Sequence, residues 1–182
     1  MRADAQRNRD RLLTVAVDAF TGPDGGDVTL DSIAKQAGVG IGTLYRHFPT
    51  REALVEAAYR NELEKLCESA PELLTERTPA DALRDWMDHF VDYMTTKRGM
   101  ADALKAVIAS GGNPYEHSRA KLLAALSTLL TAGVADGTLR SDVAVEDVFA
   151  GLGGVTMIAG EPAQREQAGR LLDLLLDGLH PR

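Results

Sequence analysis

The sequence predicts an all-α protein of about nine helices, with a three-helix, helix-turn-helix domain over residues 1–50 and a helical domain over 51–182. Three observations lead to that class. Apolar residues recur at i, i+3, i+4 and i+7 in one stretch after another. Glycine and proline punctuate the chain between most of those stretches. The 182 residues, 45% of them apolar, suffice for one well-buried domain or for a small and a medium one.

The first helix runs from about residue 5 to 20, with Leu12, Leu13, Ala16, Ala19 and Phe20 inward. Arg2, Arg7, Arg9 and Arg11 gather at its start, where cations oppose the helix dipole. An ordinary solvated helix start and a phosphate partner that relieves this arrangement are both open; Arg7 or Arg9 is the candidate for phosphate or minor-groove contact. Gly22-Pro23-Asp24-Gly25-Gly26 is a loop by composition.

Residues 29–54 read as two short helices held at an angle by a tight turn. Thr29 is a good N-cap, and Leu30, Ile33, Ala34 and Ala37 make one apolar stripe. Gly38 ends that helix in the left-handed conformation that glycine tolerates, and Val39 plugs the angle. A second helix follows over about 41–48, in which Leu44 and Phe48 face the core and Thr43, Tyr45, Arg46 and His47 face outward. Pro49 stops it and Thr50 caps the next. A short exposed helix with hydroxyl, phenol and cationic side chains suits a DNA major groove, about 12 Å wide. Turn and periodicity alone leave a solvated helical hairpin equally open.

The string Ala37-Gly38-Val39-Gly40-Ile41-Gly42-Thr43-Leu44-Tyr45-Arg46-His47-Phe48, followed by Arg51-Glu52-Ala53-Leu54, closely resembles the helix-turn-helix signature of the TetR family, the tetracycline-repressor-like regulators. The resemblance covers about residues 10–58 and the overall length; beyond residue 60 it implies only the architecture. It implies phosphate contacts by Tyr45 and His47, a phosphate or base contact by Thr43 and a phosphate clamp by Arg51. Gly40 stands where the family often has serine, and neither Ile41 nor Gly42 carries a hydrogen-bonding side chain. Base discrimination then rests on Thr43, Tyr45, Arg46, methyl contacts from Ile41, or DNA shape. Arg46 is the candidate base reader. Gly38, Gly40 and Gly42 follow a helix rather than a strand, which excludes a dinucleotide-binding turn.

The net charge of −7 is unevenly distributed. Residues 1–60 hold eight Lys/Arg and eight Asp/Glu, so the acidity belongs to the rest of the chain. A local basic face serves phosphate contacts while an acidic body repels DNA elsewhere.

From Thr50 to about residue 74, Leu54, Ala57, Ala58 and Leu66 predict a long helix leaving the DNA-binding region, and Pro71 to Pro79 reads as its end and a loop. A strongly amphipathic helix over 79–97 sets Leu83, Trp86, Met87, Phe90, Tyr93 and Met94 on one face and Asp81, Asp85, Asp88 and Asp92 on the other. Core packing and the lining of an apolar effector cavity are both open for these residues; the candidate pocket is Trp86, Phe90, Tyr93, Met94, Met100, Leu104, His117 and Leu123. A short helix over 99–110 and a longer one opened by Asn113-Pro114 and running to about 135 follow. Tyr115, His117 and Arg119 lie at the mouth of the longer helix, as ligand contacts or as solvated end residues. Residues 132–143 form a turn in which Arg140 and Asp142 are structural, and helices over 145–159 and 163–178 flank Gly160-Glu161-Pro162. Ala150, Gly151, Gly153, Gly154 and Ala159 suggest close helix approach, since each interior glycine costs about 1 kcal/mol. The resemblance implies that these last two helices pair with their copies in a homodimer; an intrachain core is the alternative.

The expected protein is a homodimeric DNA-binding transcriptional regulator, a repressor that leaves its double-stranded operator when a small apolar or amphipathic effector binds. No cofactor, metal or catalytic residue is expected. His89, His117 and His180 lack metal spacing, and no Gly-x-Ser-x-Gly elbow occurs. The rivals are a ligand-binding dimer acting through a protein partner and a small helical enzyme. Cys67 is the single cysteine, read as a half-buried structural thiol, with a redox-sensing thiol as the alternative. No membrane association is expected, because the longest uncharged stretches, 122–135 and 148–160, fall short of the roughly 20 residues of a bilayer span. With Arg2, Asp4 and Arg7 in place of a signal core, a cytoplasmic location follows.

Overall fold

In the computed structural model, residues 2–22, 27–159 and 162–181 are described, and they contain nine helices and no strand. The helices are α1 (Arg2–Thr21), α2 (Leu30–Gln36), α3 (Ile41–His47), α4 (Arg51–Glu76), α5 (Pro79–Gly99), α6 (Ala101–Ala109), α7 (Ser118–Ala135), α8 (Val145–Thr156) and α9 (Pro162–Asp177). The all-α class holds. Residues 23–26 of the predicted loop 22–26, residues 160–161 and the side chain of Arg2 lie outside the described part.

The chain divides into two compact units, residues 1–62 with 96–116, and residues 63–95 with 117–182. In the first, Leu12, Leu13, Ala16 and Phe20 of α1 are buried together with Ile33, Ala34, Leu44, Phe48, Leu54, Val55, Ala58 and Tyr59. Each large apolar side chain so buried contributes up to about 1.5–3 kcal/mol. Local chemistry sets the angle between α2 and α3. The Ser32 amide donates to Thr29 Oγ1 at 3.2 Å, the predicted cap. Gly38 has φ +67, and Val39 N–H reaches Ala34 O at 3.0 Å while Gly38 N–H reaches Lys35 O at 3.1 Å. These two bonds are the paired closure that a left-handed residue allows at a helix end. Phe48 is extended, as the residue before Pro49 must be, and the Ala53 amide donates to Thr50 Oγ1 at 3.1 Å.

The second unit packs the apolar faces of α5, α7, α8 and α9, with Leu83, Trp86, Phe90, Leu126, Leu129, Leu152 and Leu172 buried. Gly133 is required there, because a Cβ would collide with Leu139, whose amide donates to Gly133 O at 2.9 Å. Arg140 holds Asp142 with two bonds of 2.6 and 2.7 Å, the structural role expected of both.

α4 ends at Glu76, inside the 71–79 segment expected to hold its end and a loop, and it passes through Pro71 on the way. The ring is exposed and forfeits only the bond to Cys67 O, a cost of about 3 kcal/mol that the continuing helix absorbs. Asn113-Pro114 does not open α7; residues 114–117 form a turn, and His117, with φ +61, precedes the helix at Ser118. Tertiary contacts decide this, since Tyr115 packs edge-on against Tyr59 at 5.4 Å and Arg60 donates to Asn113 O at 3.3 Å. The acidic face of α5 is tied to α9: Asp88 and Asp92 receive Arg165 at 2.8 and 3.1 Å, and Arg84 joins Asp88 to Asp173, the latter at 2.6 Å.

Candidate nucleic-acid interface

The surface of α3 follows from its two buried anchors. Leu44 is 0% and Phe48 3% exposed, so residues one position to either side of Leu44 turn away from the core by roughly 100° each. Ile41 and Tyr45, four apart, are 37% and 50% exposed, and Gly42 and Arg46 lie beside them, also exposed. Thr43 and His47 are half-buried on the flank. Tyr45 and Arg46 therefore project outward as expected, while Thr43 and His47 stand at the edges of that face. Arg46 makes no hydrogen bond or ion pair to another described residue. Arg46 and His47 occupy the last turn of α3, where the helix dipole favours cations.

The arginines expected near this face have distinct surroundings. Arg7 is paired with Asp4 one turn earlier. Arg9 stands 5.7 Å over the ring of Phe48, the residue that closes α3, and binds no described carboxylate. Arg11 donates to Asn8 Oδ1 at 2.6 Å. Arg51 is half-buried, donates to the carbonyl of Val28 and lies 4.8 Å over the ring of Phe20. In this arrangement its guanidinium holds the segment leading into α2. Sequence reading saw the charge of Arg51 and missed this second engagement, for which Phe20 at the end of α1 was the available signal.

Gly40 and Gly42 have nothing within 4 Å of where a Cβ would stand. Neither glycine is needed for internal packing, and neither has positive φ.

The candidate pocket residues fall into both units. In the second, Trp86 stacks on Phe90 at 5.7 Å, Phe90 meets Phe149 at 5.6 Å and Tyr93 at 6.5 Å, and the Trp86 indole donates to Leu66 O at 2.9 Å. Met94 and Leu123 are half-buried and His117 is exposed. Phe149, with Arg119 5.2 Å over its ring, extends this aromatic row and was not singled out in the sequence, because α8 otherwise reads as a small-residue helix. In the first unit, Met100 and Leu104 are fully buried. Cys67 is half-buried, and burial raises its thiol pKa. Among the described residues no group of His, Cys, Asp or Glu could hold a metal, and no helix is long and apolar enough to cross a membrane.

Residues 12–58 match the family described as bacterial regulatory proteins, tetR family, and residues 78–181 match the transcriptional regulator SbtR-like, C-terminal domain. The structure is similar to a TetR transcriptional regulator of Streptomyces coelicolor at 56% identity, covering 95% of this chain and 98% of that one, with a TM-score of 0.90. It is also similar to a TetR transcription regulatory protein of Mycobacterium vanbaalenii at 36% identity, covering 99% of each chain, with a TM-score of 0.80. The HTH-type transcriptional repressor KstR2 of Rhodococcus jostii is 28% identical, over 94% of this chain and 90% of that protein. With the helix-turn-helix and the C-terminal helices both matched, the chain belongs to the TetR family of DNA-binding transcriptional regulators.

Proposed function

We propose that the protein is a homodimeric repressor that releases its operator when a small apolar or amphipathic effector binds. The observation that carries the DNA-binding face is the outward projection of Tyr45 and Arg46 from a helix anchored by Leu44 and Phe48. Tyr45, His47 and Thr43 contact phosphates along one strand, Arg46 reads a base edge, and Ile41 offers a methyl contact. Of the two N-terminal candidates, Arg9 fits a phosphate better than Arg7. Its guanidinium stands 5.7 Å over the Phe48 ring with no described carboxylate to neutralise it, whereas Arg7 is tied to Asp4. Arg51 serves the interface by holding the start of α2.

Dimerisation through α8 and α9 is supported by an exposed stripe of Ala150, Gly154 and Met157, spaced by four and three residues, and by Leu174 at 67% exposure. Gly153 and Gly154 have no neighbour within 4 Å of a Cβ, so their small size is not used within the chain. Gly151 does serve an intrachain contact, to Leu175. A dimer would set two recognition helices at a fixed separation, about 34–36 Å for half-sites one turn apart. An effector bound among Trp86, Phe90, Tyr93, Met94 and Leu123, all within the second unit, would shift that separation through α4. Couplings of about 1–3 kcal/mol suffice for such a switch. A regulator of this kind works where the chromosome is, in the cytoplasm.

The test is binding of the purified protein to duplexes flanking its own gene at two salt concentrations, with Tyr45→Ala as control. Tight, salt-sensitive binding that the substitution abolishes is the expected result. Equal affinity for flanking and random duplexes at both salts would count against the operator reading and favour action through a protein partner.

A further inference from the structure

Lys97 lies near the end of α5, inside the unit that holds the helix-turn-helix. Its side chain is half-buried, and its ammonium stands 4.5 Å from the centre of the Tyr115 ring. No carboxylate of a described residue pairs with it; burial alone lowers its pKa, with no opposing attraction from an acid. Buried ammonium groups are ordinarily paired, because desolvating the charge is costly and a ring face returns only part of that cost. Glu56, whose carboxylate lies beside Gly112 in the same turn as Tyr115, holds Arg60 at 2.7 Å. Tyr115 is 37% exposed, and its hydroxyl, a donor at neutral pH, makes no hydrogen bond to a described residue.

The surroundings are built rather than accidental. The turn that carries Tyr115 is fixed by Arg60 on Asn113 O and by Gly112 N–H on Val107 O at 3.0 Å. A side chain at Gly112 would collide with Val107, so the turn admits only glycine there. The Tyr115 ring then rests at 89° against Tyr59, which is 1% exposed and lies one helical turn beyond Val55 on the buried face of α4.

We propose that Lys97 and the Tyr115 hydroxyl form a binding site for the carboxylate of an amphipathic effector. One cation and one phenol donor match a monoanion better than a phosphate dianion. The site rests on the effector reading given above and narrows it to a carboxylate-bearing class. Drawing Lys97 onto a carboxylate removes it from the Tyr115 face, and so loosens the stack that ties residues 113–116 to α4 within the DNA-binding unit.

Dodecanoate and dodecanol share a chain and differ in the charge of the head, so calorimetric titration of the full chain with each isolates the site. Dodecanoate is expected to bind the native protein and Lys97→Arg alike, and Lys97→Met about tenfold more weakly, while dodecanol does not distinguish the three. Lys97→Met keeps the alkyl stem and removes an unpaired charge, so it should melt at or above the native temperature. Tyr115→Phe deletes only the hydroxyl and is expected to weaken dodecanoate a few-fold. Equal dodecanoate affinity in the native protein and in both Lys97→Met and Tyr115→Phe, or no dodecanoate binding by the native protein at its solubility limit, overturns the proposal. Lys97-dependent binding that leaves duplex affinity unchanged would uphold the site and overturn the effector reading.

Discussion

The guanidinium of Arg51 stands 4.8 Å over the ring of Phe20 while donating to the carbonyl of Val28, so one side chain at the start of α4 clasps the end of α1 and the segment leading into α2. Removing it deletes a cation–π contact and a charge-assisted hydrogen bond, together about 1–3 kcal/mol at a half-buried site. Arg51→Ala is expected to lower the melting temperature by about 2–12 °C and to weaken every duplex alike. Urea unfolding measures the first effect. A salt slope reduced by about one unit with unchanged stability would return Arg51 to the role of a phosphate clamp.

Arg9 and Arg46 separate positioning from reading. Arg9→Ala should weaken all sequences equally and flatten the salt slope by about one unit, while Arg7→Ala, which removes a side chain paired with Asp4, leaves the slope nearly unchanged. Arg46→Ala should relax sequence preference by about 1–3 kcal/mol at one base position. Competition titrations with single-base operator variants decide whether Arg46 reads a base; a uniform loss across variants would assign it to the backbone.

Gly42 lies inside α3 with open space around it and no positive φ, so the fold gains nothing from glycine there. Gly42→Ala should stabilise the chain by about 0.5–1 kcal/mol. If DNA approaches the helix at this point, the same methyl group weakens operator binding. Higher stability with lower affinity is the expected pair, read from chemical denaturation and duplex titration. Unchanged affinity would leave Gly42 without a role at the interface.

Met157 is 82% and Leu174 67% exposed on α8 and its following turn and on α9. Met157→Asp with Leu174→Asp places charges on that face without disturbing the buried Leu152 and Leu172. Sedimentation should show a shift from dimer to monomer and a loss of tight operator binding, with helix content preserved. A double variant that stays dimeric would place the subunit contact elsewhere.

The sequence by itself determined the helix-turn-helix down to its caps. Thr29, Gly38, Phe48 before Pro49, and Thr50 act on backbone groups within a few residues of themselves, so their roles were legible without knowing what packs against them. The burial of Leu44 and Phe48, and with it the exposure of Tyr45 and Arg46, followed from helical spacing alone. Only the tertiary structure decided where α7 begins, that α4 passes through Pro71, that Arg165 gathers Asp88 and Asp92, and that Arg51 turns inward while Arg9 lies on Phe48. In each of these a local preference competes with a partner brought close by folding. The position of a charged or aromatic side chain in the chain says what it can bind, and the packing of distant helices says which partner it meets.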